Sequence, residues 1–336
     1  MKKSITFLTL LVATCLILNF SPQQLQGSKT NDDFNIFKDG KVKAGSHVFK
    51  NLTEYYLSDY FKVNGKRCGF KKFPDGVKAS ATDAFIEGLP SDCTTSATVI
   101  QSEYWPSTAY TIPVVFHIIS KTDGTGELSD QRIIDQVEVL NEDYRAISGT
   151  LGELGFDTKI EFVLAGITRT VDDKWFRDKG AEKKYKPALA WDPNLYCNIY
   201  TNSASGYLGY SYLAQTGAGE WYDGIVLLYE SVGGRDNGFY PYDQGRTLVH
   251  EMGHYLGLLH TFSGCCNDYT CGDLIVDTEM ENTAHYYCDQ TYTCDTPDPI
   301  HNYMNYTDDL CMYKFTSEQG NRTVCTLVNY RPDLYQ

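Results

Sequence analysis

The segment TLVHEMGHYLGLLH, residues 247–260, sets His250, Glu251, His254, Gly257 and His260 in the pattern H-E-x-x-H-x-x-G-x-x-H. Four residues make roughly one helical turn, so a helix here projects His250 and His254 from one face, where two imidazole nitrogens can reach one Zn²⁺. Two ligands do not complete a site. Gly257 lacks a Cβ and can enter the left-handed region, which ends the helix and swings the chain so that His260 becomes the third ligand. The fourth position then stays open to water, whose pKa zinc can lower from about 16 to about 7. Glu251, beside the first ligand, can take a proton from that water as it attacks a carbonyl and deliver it to the departing amine. This is peptide hydrolysis without a covalent intermediate. Ordinary helix histidines or a purely structural zinc site are the competing readings. A structural site normally closes with a fourth protein ligand and has no use for Glu251, and three of the chain's seven histidines fall within this one motif.

A chain of 336 residues can supply one large domain with accessory segments or two modest domains. Its net charge of −14 and the lack of basic runs disfavour binding to nucleic acid. Residues 5–20 form an apolar run directly behind Lys2 and Lys3 and read as a secretory signal, taken here as residues 1–27, with no transmembrane segment expected in the mature chain. The competing reading, a bacterial lipoprotein site at Cys15, is weakened by Thr14 and by the apolar run continuing beyond it. Of the eleven cysteines, Cys15 would leave with the signal, so ten remain in an oxidising compartment and disulfides are expected.

Residues 21–105 are polar, broken by Gly and Pro, and without a long amphipathic period; they read as a pro-segment. The β-branched and aromatic run 111–120 predicts a buried strand, in which His117 reads as a hydrogen-bonded core residue. Ser129 is a candidate N-cap for a helix whose apolar stripe is Ile133, Val137, Leu140, Tyr144 and Ile147. Further strands are predicted at 159–165, 195–201, 207–214 and 224–229, which together suggest a mixed sheet. Residues 265–325 carry seven of the ten exported cysteines, so this lobe is expected to rely on disulfides more than on a deep apolar core.

The extended zinc motif resembles the metzincins, and its context resembles the pappalysin family of secreted zinc endopeptidases. The likeness runs over residues 112–315, through IPVVFH (112–117), LSDQ (128–131), VLNEDYR (139–145), GYLGY (206–210), GRT (245–247) and NYMNYTDDLC (302–311). It implies an α+β fold with a twisted mixed β-sheet, a backing helix, a zinc-binding active-site helix and an irregular, disulfide-rich C-terminal subdomain. It also implies a pro-segment at 28–104 and a catalytic domain at 105–336.

By the same resemblance, Met304 is the methionine beneath the metal and Tyr306 the phenol that donates to the tetrahedral oxyanion. The strand from Tyr207 resembles the edge on which such enzymes align an extended peptide, although an ordinary edge strand fits the residues equally well. Cys68, in KRCG (66–69), resembles a cysteine switch whose thiolate fills the open zinc position in the latent zymogen; a Cys68–Cys93 disulfide is the alternative, and either leaves eight cysteines from Cys197 onward to pair. The resemblance pairs Cys271 with Cys294 and Cys288 with Cys311, and leaves Cys197, Cys265, Cys266 and Cys325 open. Asp273, the Ile275 carbonyl and Thr278 resemble a Ca²⁺ loop, against the reading of a solvated acidic loop; Glu279 stands where the family commonly has proline.

Asn305 begins a sequon that is expected to be buried and unglycosylated, whereas Asn51 and Asn321 are expected at the surface. The resulting expectation is a secreted, zymogen-regulated zinc endopeptidase that acts on proteins or peptides and is activated by another protease or by itself. A secreted binding protein on the same fold, without turnover, is the alternative.

Overall fold

A computed structural model describes residues 34–65, 67–70, 93, 102–234, 237–266 and 271–336, and the expected signal at 1–27 lies outside them. The core is a five-stranded sheet in the order β5-β4-β6-β8-β7, from β4 (Tyr110–Ser120), β5 (Ile160–Val171), β6 (Cys197–Asn202), β7 (Gly209–Tyr210) and β8 (Ile225–Leu228). The first four strands in that order run parallel, and only β7 is antiparallel, to β8. Side chains alternate across a sheet. Thus Ile112, Val114, Phe116 and Ile118 of β4, with Ile225 and Leu227 of β8, share one cluster, while Ile119, Val226 and Leu228 join another on the opposite face.

The first cluster is closed by the backing helix α3 (Asp130–Tyr144) and the zinc-motif helix α7 (Arg246–Tyr255). Ser129 Oγ caps α3 by accepting from Arg132 N at 3.3 Å. Ile147 does not extend its stripe: the helix ends at Tyr144, Ala146 takes a positive φ, and Ile147 is exposed. His117 is a core residue, its two ring nitrogens 2.7 Å from Thr168 Oγ1 and 2.9 Å from Asn198 Oδ1.

The region read as an unpatterned pro-segment carries a small folded unit: strands β1 (Asn35–Ile36), β2 (Val42–Ala44) and β3 (His47–Phe49), then helices α1 (Leu52–Tyr56) and α2 (Asp59–Asn64). These elements are too short to show periodicity. Phe34, Tyr55, Tyr56 and Phe61 instead pack into the second sheet-face cluster beside Tyr207, Phe239 and Tyr242. Tyr56 Oη donates to Tyr207 O at 2.9 Å.

Between the sheet strands lie the short helices α4 (Asp173–Phe176), α5 (Glu182–Leu189) and α6 (Ala214–Gly217). The strand expected over 207–214 shrinks to Gly209–Tyr210, because a turn at Ala204–Gly206 precedes it and α6 begins at Ala214.

The C-terminal lobe is irregular apart from α8 (Ser317–Tyr330), which opens with a Thr316/Gln319 capping box. The disulfides correct the expected pairing. Cys288 bridges Cys311, but Cys294 bridges Cys265, and Cys271 bridges Cys266. With adjacent cysteines at 265 and 266, spacing alone does not decide connectivity. The Cα atoms of Cys265 and Cys294 lie 5.5 Å apart, and those of Cys266 and Cys271 lie 5.9 Å apart. Cys93 bridges Cys325, which removes the Cys68–Cys93 alternative, and Cys197 is a free thiol fully buried in the sheet, so the eight later cysteines do not pair among themselves.

Helix α7 has no capping side chain of its own, since its N-cap is Gly245 at φ 77°. Asp309 serves from a distance: its Oδ2 accepts from Gln244 N at 3.0 Å and Arg246 N at 3.2 Å. Burial lifts the Asp309 carboxyl to about 6, against the pull of Arg246. A carboxyl raised in the folded state keeps a proton that the unfolded chain gives up. Its contribution to stability is therefore full below about pH 4 and is lost as the pH climbs through about 6. Asp309→Asn keeps one acceptor but cannot titrate, so stability should fall less steeply between about pH 4 and about 6, as read by denaturant unfolding at each pH.

Candidate active site

Every side chain of α7 is buried. Its first turn is fixed by Arg246, which meets Asp143 of α3 at 3.1 Å in a pair with neither side chain exposed, and by Gln136, whose Nε2 donates to Gly245 O at 3.1 Å. Its end is fixed by Gly257 at φ 91°, where a Cβ would lie 2.3 Å from Thr326 Oγ1. The chain turns there, as the sequence predicts, and returns His260 to the other two histidines.

His250 Nδ1 lies 2.7 Å from Tyr303 O, and His254 Nδ1 lies 2.8 Å from Leu258 O. A carbonyl only accepts, so each Nδ1 carries the proton and each Nε2 turns a lone pair inward. Those lone pairs converge: His260 Nε2 is 3.2 Å from His250 Nε2 and 3.0 Å from His254 Nε2. Three ring nitrogens aimed at one point suit a bound cation. Burial pushes His250 down to about 4 and moves His254 and His260 lower in the same direction, so the rings are held neutral, as ligands must be.

Cys68 joins them. Its sulfur and one nitrogen from each histidine all lie within 4.8 Å of one another, the single such group among the described residues. An N₃S donor set fits tetrahedral zinc. The thiol is raised well above its usual range by burial and by Glu251, a shift that a neighbouring cation would oppose.

Glu251 is 1% exposed. Ser211 Oγ lies 3.1 Å from its Oε2 and 2.9 Å from its backbone O, and Gly209 leaves it room, since a Cβ there would sit 2.9 Å from Glu251 Cγ. Burial raises its carboxyl to about 8, with Cys68 and Ser211 opposing.

Met304 is fully buried beneath the helix, so close that a Cβ on Gly253 would lie 2.3 Å from its sulfur. The ring of Tyr306 is 5.7 Å from that of His250 and 4.9 Å from that of His260. Burial keeps its phenol well above the usual value, hence protonated. Glu281 ties the two loops together, its Oε2 accepting from Thr261 Oγ1 and Asn305 Nδ2, both at 2.9 Å.

Residues 67–70 cross this cleft. Gly69 N donates to Gly209 O at 2.9 Å and Leu208 N to Arg67 O at 2.9 Å, which makes a parallel bridge onto the free edge of β7. Arg67 donates to Tyr306 O and, at 2.9 Å, to Tyr286 O; it pairs with Asp308 at 3.2 Å and lies over the ring of Tyr242 at 4.7 Å.

Farther away, Thr278 Oγ1 donates to Asp273 Oδ2 at 2.8 Å and lies 3.2 Å from Ile275 O, so these three groups are hydrogen-bonded neighbours. Asn305 is fully buried and Asn51 is exposed, but Asn321 is buried within α8, contrary to its expected surface position.

A family model described as Peptidase_M43, Pregnancy-associated plasma protein-A, matches residues 180–328. An extracellular metalloprotease of Pyricularia oryzae is 37% identical over 233 residues, covering 66% of this chain and 77% of the relative. The chain belongs to the pappalysin family. It is a metalloprotease of metzincin fold, and the family implies a catalytic zinc. Extracellular metalloprotease 1 of Coccidioides posadasii is 36% identical over 221 residues, covering 63% of this pappalysin and 74% of that protein. Among solved structures, a promirolysin mutant of Tannerella forsythia is similar at TM-score 0.60 and 30% identity, covering 69% of this chain and 85% of that one. Mature mirolysin of Tannerella forsythia, in complex with a cleaved peptide, is similar at TM-score 0.54 and 30% identity, covering 69% and 100%.

Sequence reasoning on this pappalysin overlooked Arg67, Ser211, Glu281 and Asp309. Arg67, Glu281 and Asp309 each stand within three residues of a residue already singled out, and Ser211 lies in the strand expected over 207–214. Their roles were missed because their partners come from distant segments. The Gly253–Met304 contact yields a direct check: Gly253→Ala forces the methionine floor or the helix to move. Overpacking of this kind should cost about 1–3 kcal/mol in thermal or denaturant unfolding and lower bound zinc measured by elemental analysis.

Proposed function

We propose that this pappalysin is a secreted endopeptidase made as a latent zymogen, with Glu251 as general base and Cys68 as the internal block. The observation that carries this is the meeting of Cys68 with His250, His254 and His260 beside the buried Glu251. The apolar run behind Lys2 and Lys3, and relatives named extracellular, support export. Residues 28–104 then form the pro-segment and 105–336 the catalytic domain.

The three histidines would hold zinc, which when bound supplies Lewis acidity toward water and the scissile carbonyl. The remaining work falls to the chain. Glu251 takes the proton of the attacking water and carries it to the amine that leaves. Ser211 holds that carboxylate in place. Tyr306 donates its phenolic hydrogen to the oxyanion. The outer edge of β7 offers Gly209 O and neighbouring main-chain groups to an extended peptide, the position that Arg67 and Gly69 take in the latent form. Asp273, Ile275 O and Thr278 supply hard oxygens suited to a structural Ca²⁺.

Glu251→Gln should lower peptide hydrolysis by about 10²–10⁴-fold while zinc stays bound, and chelation should abolish activity in the wild type. Retained turnover by the variant would remove Glu251 from the mechanism. Cys68→Ala should give a precursor that cleaves peptides before any processing; a precursor as silent as the wild type would end the latency proposal.

A further inference from the structure

Beyond Cys68, the chain lays the Phe70 ring over His254, with centroids 4.4 Å apart and planes 19° from parallel. The same ring meets His260 edge-on, at 5.8 Å and 80°. The His254 face is fixed, because Nδ1 is tied to Leu258 O and the residue is fully buried in α7. Gly69 makes the approach possible: a Cβ there would come within 3.0 Å of the Tyr207 ring and of Tyr210 Cβ, so the backbone runs hard against the edge of the sheet and the next side chain turns over the histidines. Phe70 does not block the metal position itself. It fills a flat, aromatic-walled place beside it.

We propose that, once residues 67–70 have left, this face of His254 is a subsite for an aromatic side chain of the substrate, on the N-terminal side of the bond to be cut. The proposal rests on the endopeptidase reading above. Stacking geometry favours Phe, Tyr or Trp over an aliphatic residue of similar size, because a ring laid parallel and offset on another gains beyond the area it buries. Residues 67–69 run parallel to β7, so Phe70 lies toward the Ser211 end of that edge. The side of the cut is part of the proposal: the substrate is taken to pair antiparallel with β7, opposite to residues 67–69, which brings the residues before its scissile bond to this place, and aromatic enrichment only after the cut overturns that direction.

Two measurements test the subsite. Processed enzyme is given a proteome-derived peptide pool and the new termini are sequenced; aromatic residues should be enriched about two- to tenfold at one position shortly before the cut. Glu251→Gln enzyme, processed in trans by the active wild type and shown to have lost residues 67–70, is titrated with two peptides that differ only as Phe or Ala at that position; the Phe peptide should bind about two- to tenfold tighter. A flat composition before the cut, or equal affinities, overturns the subsite. Failure of the wild type to cleave any peptide overturns the endopeptidase reading instead, and with it the subsite that rests upon it.

Discussion

Two hydrogen bonds from imidazole to backbone carbonyl hold the centre of this molecule together. His250 Nδ1 to Tyr303 O and His254 Nδ1 to Leu258 O fix the tautomers, and so fix which nitrogens face inward. Each carbonyl belongs to a segment that the fold must deliver. Leu258 lies just past Gly257, so the turn that presents His260 also orients His254. Tyr303 precedes Met304, so the loop that forms the floor also orients His250. Metal geometry and chain path are therefore one constraint: a shift in either loop turns a ring.

The edge strand β7 works in two directions. Outward it offers unpaired main-chain groups, the usual liability of a sheet edge, and here residues 67–69 cover them. Inward, Gly209 and Ser211 flank Glu251, one by having no side chain and the other through its hydroxyl. The open edge and the setting of Glu251 thus come from one short segment, residues 209–211. The Asp309 carboxylate has a comparable double part, since it satisfies the start of α7 from the segment that also carries Tyr306.

Legibility from sequence followed the range of the interactions. The zinc motif, the backing helix and the parallel core strands are written in local periodicity and are found where expected, although β5 runs on to Val171, six residues beyond its expected end, and the helix stops short of Ile147. The aromatic unit at 34–64 escaped because its helices span only five and six residues and are stabilised by Tyr207, Phe239 and Tyr242 far along the chain. The pairing of Cys271 with Cys294 that the resemblance implies does not hold, because Cys265 takes Cys294 and the adjacent Cys266 takes Cys271. Cys197 lies in a central strand, where burial pushes its thiol up to about 12 and leaves it without a bridging partner, so an even count of cysteines misled. The histidines, Glu251, Met304 and Tyr306 do meet; the residues that brace them come from places no motif marks.

The Cys93–Cys325 bridge gives the position of a backbone break a significance of its own. A break between residues 70 and 93 separates residues 67–70 from the rest of the chain. A break after Cys93 leaves them tethered to α8 through sulfur, at an effective concentration that can reach the millimolar range. Under the latency proposed above, two nicks a short distance apart would therefore differ in whether the cleft is vacated.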